Sequence, residues 1–202
     1  SASLEEVLRS VRASAGVCVQ LGCGDGAIAA QLAEGGRLIV HVLDADEGKV
    51  KAVRAALQAR GLYGVAAVEH WTAPALPYAD NLINVLVAEN AGAVTENEML
   101  RVLAPNGVAW IRQGDTWRTR RKPWPKDFDE WTHWRHGADG NMVSHDLAVA
   151  APTSVRWVAG PAQDTGGRKW YYDHVLVSAN GRNFYQYEDT LTARDAFNGT
   201  LL

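Results

Sequence analysis

The sequence predicts an α/β fold, a mostly parallel five-stranded sheet followed by a tryptophan-rich β region. Three observations predict it. Short apolar β segments alternate with amphipathic helical stripes from position 3 to about 112. Glycine and asparagine turns punctuate the alternation. Of the eight tryptophans only Trp71 precedes position 110, so the composition changes where the alternation stops. Strands joined through helices imply right-handed crossovers and parallel neighbours.

The elements follow in order. Ser3-Leu4-Glu5-Glu6 is a capping box, in which hydroxyl and carboxylate satisfy free amides at a helix start. Leu4, Val7, Leu8 and Val11 supply the apolar stripe of that helix. Val17 to Leu21 is a buried strand, followed by a glycine-rich turn and a helix ending at Gly35-Gly36. Leu38 to Leu43 is the second strand, and Asp46 caps a helix burying Val50, Val53 and Leu57 and stopping at Gly61. Val65 to Glu69 is the third strand, and Leu82 to Ala88 the fourth. Thr95-Glu96-Asn97-Glu98 is a second capping box, and Pro105-Asn106-Gly107 turns the chain into a fifth strand, Val108 to Arg112. This first part, residues 1–112, is Rossmann-like.

Composition sets the outer bounds. The 202 residues suffice for one good core or for one domain and part of another. With 20 basic and 23 acidic residues, the net charge of −3 gives no overall field for nucleic acid or an anionic membrane. No apolar run reaches the roughly 18 residues of a membrane span. Two cysteines, Cys18 and Cys23, make neither a disulfide scaffold nor a four-thiolate zinc site.

The chemistry concentrates in Leu21-Gly22-Cys23-Gly24-Asp25-Gly26-Ala27, between a strand and a helix. Glycine there permits unusual dihedrals and close approach of a ligand, and the helix start offers free amides. Asp44 ends the next strand, 20 residues after Gly24 (44 − 24), where a carboxylate can accept ribose hydroxyls. Turn and acid together indicate an adenosine-type ligand; the alternative is a tight packing turn with Asp44 as a cap. Gly22, Gly24 and Ala27 also satisfy the dinucleotide pattern, so NAD is a rival ligand and an NAD-binding oxidoreductase a rival function.

Leu76 to Ala88 and Met99 to Ile111, taken with Leu21 to Gly26 and Val42 to Asp46, resemble class I S-adenosylmethionine-dependent methyltransferases over about 15–112. The resemblance implies S-adenosylmethionine as cofactor. Gly22, Gly24 and Gly26 would line its methionine part, with Gln20, Cys23 and Ala45 beside them in the binding set. Asp44 would hold the ribose, Trp71 and Thr72 would border the adenine, and Glu89 and Asn90 would face the acceptor as catalytic residues. The chain departs from the family in having Gln20 where an acid usually ends the first strand, and Asn84 where an acid commonly precedes the fourth. The family's sixth and seventh strands are not visible, and no Asn-Pro-Pro-aromatic tetrad follows strand four. These departures support another reading, a catalytically degenerate Rossmann-like module that docks or caps a β-propeller.

After a linker at 113–128, rich in Arg, Pro and Trp, the signals are short strands at Ser154–Ala159 and Val175–Ser178 and turns at Asn180-Gly181 and Asn198-Gly199. The Asn-Gly turn within Leu191 to Leu202 predicts a hairpin. Asp129 to Asn141, Val155 to Pro161 and Leu191 to Leu202 resemble the entry segment and repeat of bacterial PQQ-binding-like β-propeller proteins. That resemblance implies a partial propeller over 129–202, completed by further blades or a partner chain. His133, His136, Asp139, His145 and Asp146 raise a metal reading, but Gly137 and Gly140 break helical presentation, so hydrogen bonding in turns is expected and no metal site. The basic run from Arg118 to Lys126 reads as solvated linker rather than as a nucleic-acid surface. The two resemblances point to different compartments: a propeller implies export, an active methyltransferase the cytoplasm.

Overall fold

A computed structural model describes residues 2–159, 176–187 and 190–202. The chain divides into two units, Ser1–Pro123 and Trp124–Leu202.

In the first unit, α1 (Leu4–Arg12), α2 (Ala27–Glu34), α3 (Glu47–Ala59) and α4 (Glu96–Val102) alternate with β1 (Gly16–Leu21), β2 (Leu38–Asp44), β3 (Ala66–His70), β4 (Ile83–Ala88) and β5 (Leu103–Gln113). A further strand, β6 (Thr116–Arg121), completes a sheet of order β3-β2-β1-β4-β5-β6. All neighbours are parallel except β5 and β6. The sheet therefore has six strands, not the five expected, and the sixth lies inside the stretch read as linker. Gln113 pairs with Thr116 around Gly114 (φ 60°), a tight hairpin. Its alternation is hidden because Arg118, Arg120 and Arg121 leave only Trp117 as an apolar, buried residue.

The caps form where the sequence places them. Ser3 and Glu6 complete the α1 capping box, and Asp46 accepts from the Lys49 amide at the start of α3. Only half of the second box forms. Thr95 accepts from Glu98, but the Glu98 carboxylate turns to the Leu76 amide and Arg101. Replacing Asp46 by Ala removes a cap bond, and about 1 kcal/mol of unfolding free energy should go with it, readable as a lower urea midpoint. Another expectation shifts at β5. That strand starts at Leu103, straight after α4, and Asn106 (φ 66°) sits in a register irregularity within it rather than in a turn before it.

Alternation along the strands splits the core into two layers. Cys18, Val40, Val42, Val85 and Val87 face the helices α1, α2 and α3 through Val7, Leu32, Val53 and Leu57. Val19, Leu21, Leu43 and Leu86 face the other way, onto Met99 and Val102 of α4. Strands buried on both faces explain the near-continuous apolar runs of β1 and β4. Gln20 and Glu89, in step with the first set, are carried to the α2 side at the carboxyl ends of adjacent strands.

In the second unit β7 (Leu176–Ala179), β8 (Arg182–Tyr187) and β9 (Thr190–Asp195) form one antiparallel sheet. Asn180 and Gly181, at φ 51° and 70°, make the tight turn between the first two. Two expectations change here. Residues 154–159 are irregular, with Val155 and Val158 exposed, because apolar alternation makes a strand only where another strand pairs with it. Trp157 instead donates its indole N–H to the Ala196 carbonyl at 3.2 Å and packs on Gly199. The Asn198-Gly199 turn closes on a single bridge, Arg194 to Leu201, rather than a full hairpin. Val175 of the expected strand 175–178, and Gly160 and Pro161 of the segment 155–161, lie outside the described residues.

Candidate functional site

The site lies at the carboxyl ends of β1, β2 and β4, where strand order changes direction across β1 and β4. Crevices form at this place in open parallel sheets, because the loops leave the sheet toward opposite faces. Backbone hydrogen bonds hold the strand ends together. Gly22 N–H donates to Leu43 O at 2.8 Å, Trp71 N–H to Asp44 O at 2.9 Å, and Glu89 and Asn90 N–H to Leu21 O at 2.9 and 3.0 Å. Between them opens a cleft of about 480 Å³, counted with its open mouth.

Six of the expected residues line this cleft: Gly22, Asp44, Ala45, Trp71, Thr72 and Asn90. Leu43, Leu76 and Val94 add an apolar wall that the sequence reading did not single out. Trp71 is fixed by its indole N–H, which donates to the Ala75 carbonyl at 2.9 Å. Asn90 Oδ1 accepts from Gly92 N–H at 3.1 Å and shapes the rim. Gln20, Cys23, Gly24, Gly26 and Glu89 lie off the cleft wall, grouped around the glycine turn.

Asp44 joins the two groups. One carboxylate oxygen accepts from Cys23 N–H and the other from Asp46 N–H, both at 2.8 Å. Burial raises its pKa, but the two amides outweigh burial and hold the carboxyl below its ordinary value. Asp44 is thus ionised at neutral pH, oriented, and half-buried beside the cleft. The Cys23 thiol is a third hydrogen-bonding neighbour, so of the carboxylate's four lone-pair directions at least one is left for a hydroxyl donor.

The glycines of the turn have positive φ, and the chain itself comes close to each of them. A Cβ at Gly22 would lie 2.9 Å from Asn90 Cβ and N, and one at Gly26 2.8 Å from a Val53 methyl carbon. At Gly24 the close neighbours are both carboxylate oxygens of Glu89, at 3.0 Å. Glu89 also lies 3.5 Å from the Arg112 guanidinium and 3.4 Å from Gln20 Nε2. Burial pushes its pKa up, Arg112 pulls it down, and the carboxylates of Asp25 and Asp44 push it up again. Arg112 went unremarked in the sequence. The available signal was its position: Ala88 pairs with Ile111, so the next residues on β4 and β5 fall side by side.

The two thiols are inert. Burial pushes Cys18 up to about 12, and burial with the neighbouring Asp44 does the same for Cys23. In the second unit, Asp129 collects His136 Nε2 at 2.7 Å, Ser144 Oγ at 3.2 Å and His145 N–H at 2.6 Å. The His145 and Glu130 amides, then His136, hold its carboxyl well below the usual range. The histidines and Asp129 therefore tie a loop together. Among the described residues no group of three or more His, Cys, Asp and Glu side chains is placed to hold a metal ion. Nor is any helix among them long and apolar enough to cross a membrane.

Residues 18–107, from β1 into β5, match the family described as methyltransferase domain, which is less than half of the chain. No curated protein matches. Solved structures that resemble the chain include a putative S-adenosyl-L-methionine-dependent methyltransferase from Methanococcus maripaludis, at 21% identity over 55% of this chain and 53% of that one, TM-score 0.48. A putative sarcosine dimethylglycine methyltransferase from Galdieria sulphuraria follows at 22% identity, over 53% and 43%, TM-score 0.46. A SAM-dependent methyltransferase from Aquifex aeolicus matches at 20% identity, over 55% and 66%, TM-score 0.45. The chain spans about half the length of the first of these structures. The family match and the strand order agree: residues 18–107 form a Rossmann-like, mostly parallel sheet with helices, similar to a methyltransferase domain.

Proposed function

We propose that the first unit binds S-adenosylmethionine and acts as a methyltransferase-like domain. The observation that carries this is Asp44, ionised and oriented by two amides at the edge of an open cleft. A ribose offers two hydroxyl donors, and a fixed carboxylate is their natural acceptor. Trp71, Thr72 and the apolar wall of Leu43, Leu76 and Val94 suit a flat purine. Bound there, the cofactor supplies a methyl group made electrophilic by a sulfonium. The protein's part is to position donor and acceptor and exclude water, since methyl transfer is an in-line displacement. Asn90, on the opposite rim from Asp44's strand, borders the space for an acceptor.

Charge separates this ligand from NAD. A pyrophosphate at the glycine turn would meet the carboxylates of Glu89, Asp25 and Asp44, offset by Arg112 and Lys49. A sulfonium beside an ammonium is favoured where a dianion is opposed. The crowding at Gly22 and Gly26 supports a second reading, because the chain's own packing accounts for those glycines. On that reading the unit is a docking module without chemistry. For residues 129–202 we keep the partial-propeller reading, supported by three consecutive antiparallel strands, the way a blade is built.

Calorimetric titration distinguishes these readings. S-adenosylhomocysteine should bind, NAD should bind at least tenfold more weakly, and Asp44→Ala should cost about 10- to 100-fold, the worth of hydrogen bonds to a charged group. Asp44→Asn keeps one amide contact and should fall between. Absence of heat with folded wild-type protein would leave only the docking module.

A further inference from the structure

We propose that Glu98 and Arg101 of α4 are positioning residues for base selection: they hold Leu76 from α4 and so set the spacing of the two loops that line the cleft. The inference rests on the proposed occupation of the cleft by an S-adenosyl ligand. It adds two residues that stand outside the cleft and act on it through Leu76.

The first observation is a cap that does not close. In α1 the Glu6 carboxylate returns to the Ser3 amide at 2.7 Å and completes its box. In α4 the Glu98 carboxylate accepts from the Leu76 amide instead, at 2.6 Å. Arg101, one turn on, clasps the same carboxylate with Nε at 2.8 Å and a terminal nitrogen at 2.7 Å. That guanidinium also donates to Leu76 O at 3.1 Å, to Tyr78 O at 2.9 Å and to Asp80 Oδ1 at 2.6 Å. Both main-chain polar groups of Leu76 are therefore held by two side chains of one helix, through charge-assisted bonds, the stronger class. Arg101, then the Leu76 amide, keep the Glu98 carboxyl below its ordinary value despite burial, so the clasp is charged at neutral pH.

The second observation is what the clasp carries. Leu76 is buried, and with Trp71, Thr72 and Ala73 it lines the cleft from the loop after β3. Asn90 to Val94 line it from the loop after β4, which runs directly into the α4 N-cap, Thr95. Leu76, Trp71 and Val94 pack in one apolar layer with Met99 of α4. One short helix thus carries Val94 by chain connection and Leu76 by hydrogen bonds. Glu98 gives up its place in the capping box to reach a cleft residue, and a fixed distance between the two loops is what that exchange secures. Such a fixed spacing favours a base large enough to touch both.

The experiment displaces S-adenosylhomocysteine from the whole chain with adenosine, cytidine or 2′,3′-dideoxyadenosine, followed by calorimetry. Adenosine and cytidine share the ribose, so their affinity ratio reports the base. Adenosine and its dideoxy form share the base, so theirs reports Asp44. Wild type should prefer adenosine to cytidine by about tenfold, the worth of the purine's additional buried ring area. Glu98→Ala should bring that ratio close to one while the adenosine-to-dideoxyadenosine ratio stays at its wild-type value. Glu98→Gln should restore most of the base ratio, because its carbonyl oxygen still accepts from the Leu76 amide. Both variants lose the same charge, so a role confined to the helix would affect them alike. Arg101→Lys keeps its charge, loses the fork, and should also lower the base ratio alone. A base ratio unchanged in Glu98→Ala and Arg101→Lys, equal losses in the two Glu98 variants, or both ratios falling together overturns the positioning role and leaves the Asp44 cleft standing. A folded wild type that binds adenosine and cytidine equally overturns the base wall and the positioning with it. One that binds none of the ligands overturns the cleft reading as well.

Discussion

Replacing Leu86 by alanine lowers the unfolding free energy of the first unit by about 2–5 kcal/mol, the range for burying a large-to-small change in a packed core. Leu86 is fully buried at the centre of β4, between Val19 of β1 and Ala109 of β5, and packs in the layer beneath α4. The flanking strands are held by ladder bonds on both sides, which limits their collapse into the space. Ile39 is the control: it is 54% exposed on β2, and its truncation should cost well under half as much. All four described helices belong to the first unit, so helical circular dichroism in urea follows that unit's transition. The midpoint should fall with the slope unchanged; equal losses at the two positions would contradict the burial assigned here.

Gly22→Ala should be the most damaging single change at the site. Its φ of 82° already disfavours a side chain, and the new methyl would lie 2.9 Å from Asn90 N and Cβ. Asn90 N–H is the donor to Leu21 O, so relief of the clash breaks a tie between β1 and β4. A left-handed residue costs about 1–2 kcal/mol by itself, and the crowding adds to that. Gly36→Ala separates the two causes. Gly36 has φ 70° and nothing within 4 Å of the added carbon, so it reports the dihedral cost alone. Thermal unfolding of both variants should show Gly22→Ala clearly below Gly36→Ala, with nucleoside binding lost only in the former.

Much of the first unit is legible because its instructions are local. Ser3, Asp46 and Gly36 act within a few residues of where they stand, and the apolar runs of β1 and β4 state burial on both faces. The sixth strand is obscured because its alternation is carried by arginines, which read as linker although Arg118 and Arg120 are bound to Glu96 of α4. At residues 154–159 the reverse happens: the pattern is present, but strand formation depends on a partner that local sequence does not specify. The same division runs through the site. Asp44, Trp71 and Asn90 follow from strand ends and spacing. The nearness of Glu89 to Gly24, and of Arg112 to Glu89, comes from register between strands distant in sequence. Gln20 stands out in the sequence as a departure; that its amide is buried and half-satisfied is visible only in the structure.

The ties that frame the cleft run from main chain to main chain: Gly22 to Leu43, Trp71 to Asp44, and both Glu89 and Asn90 to Leu21. The strand ends are thus joined without the side chains at 71, 89 and 90, of which Trp71 and Asn90 act within their own loops. Exchange at 89 and 90 can therefore retarget the domain toward a different guest while the main-chain ties stay, whereas position 22, where the backbone itself is crowded, has no such freedom.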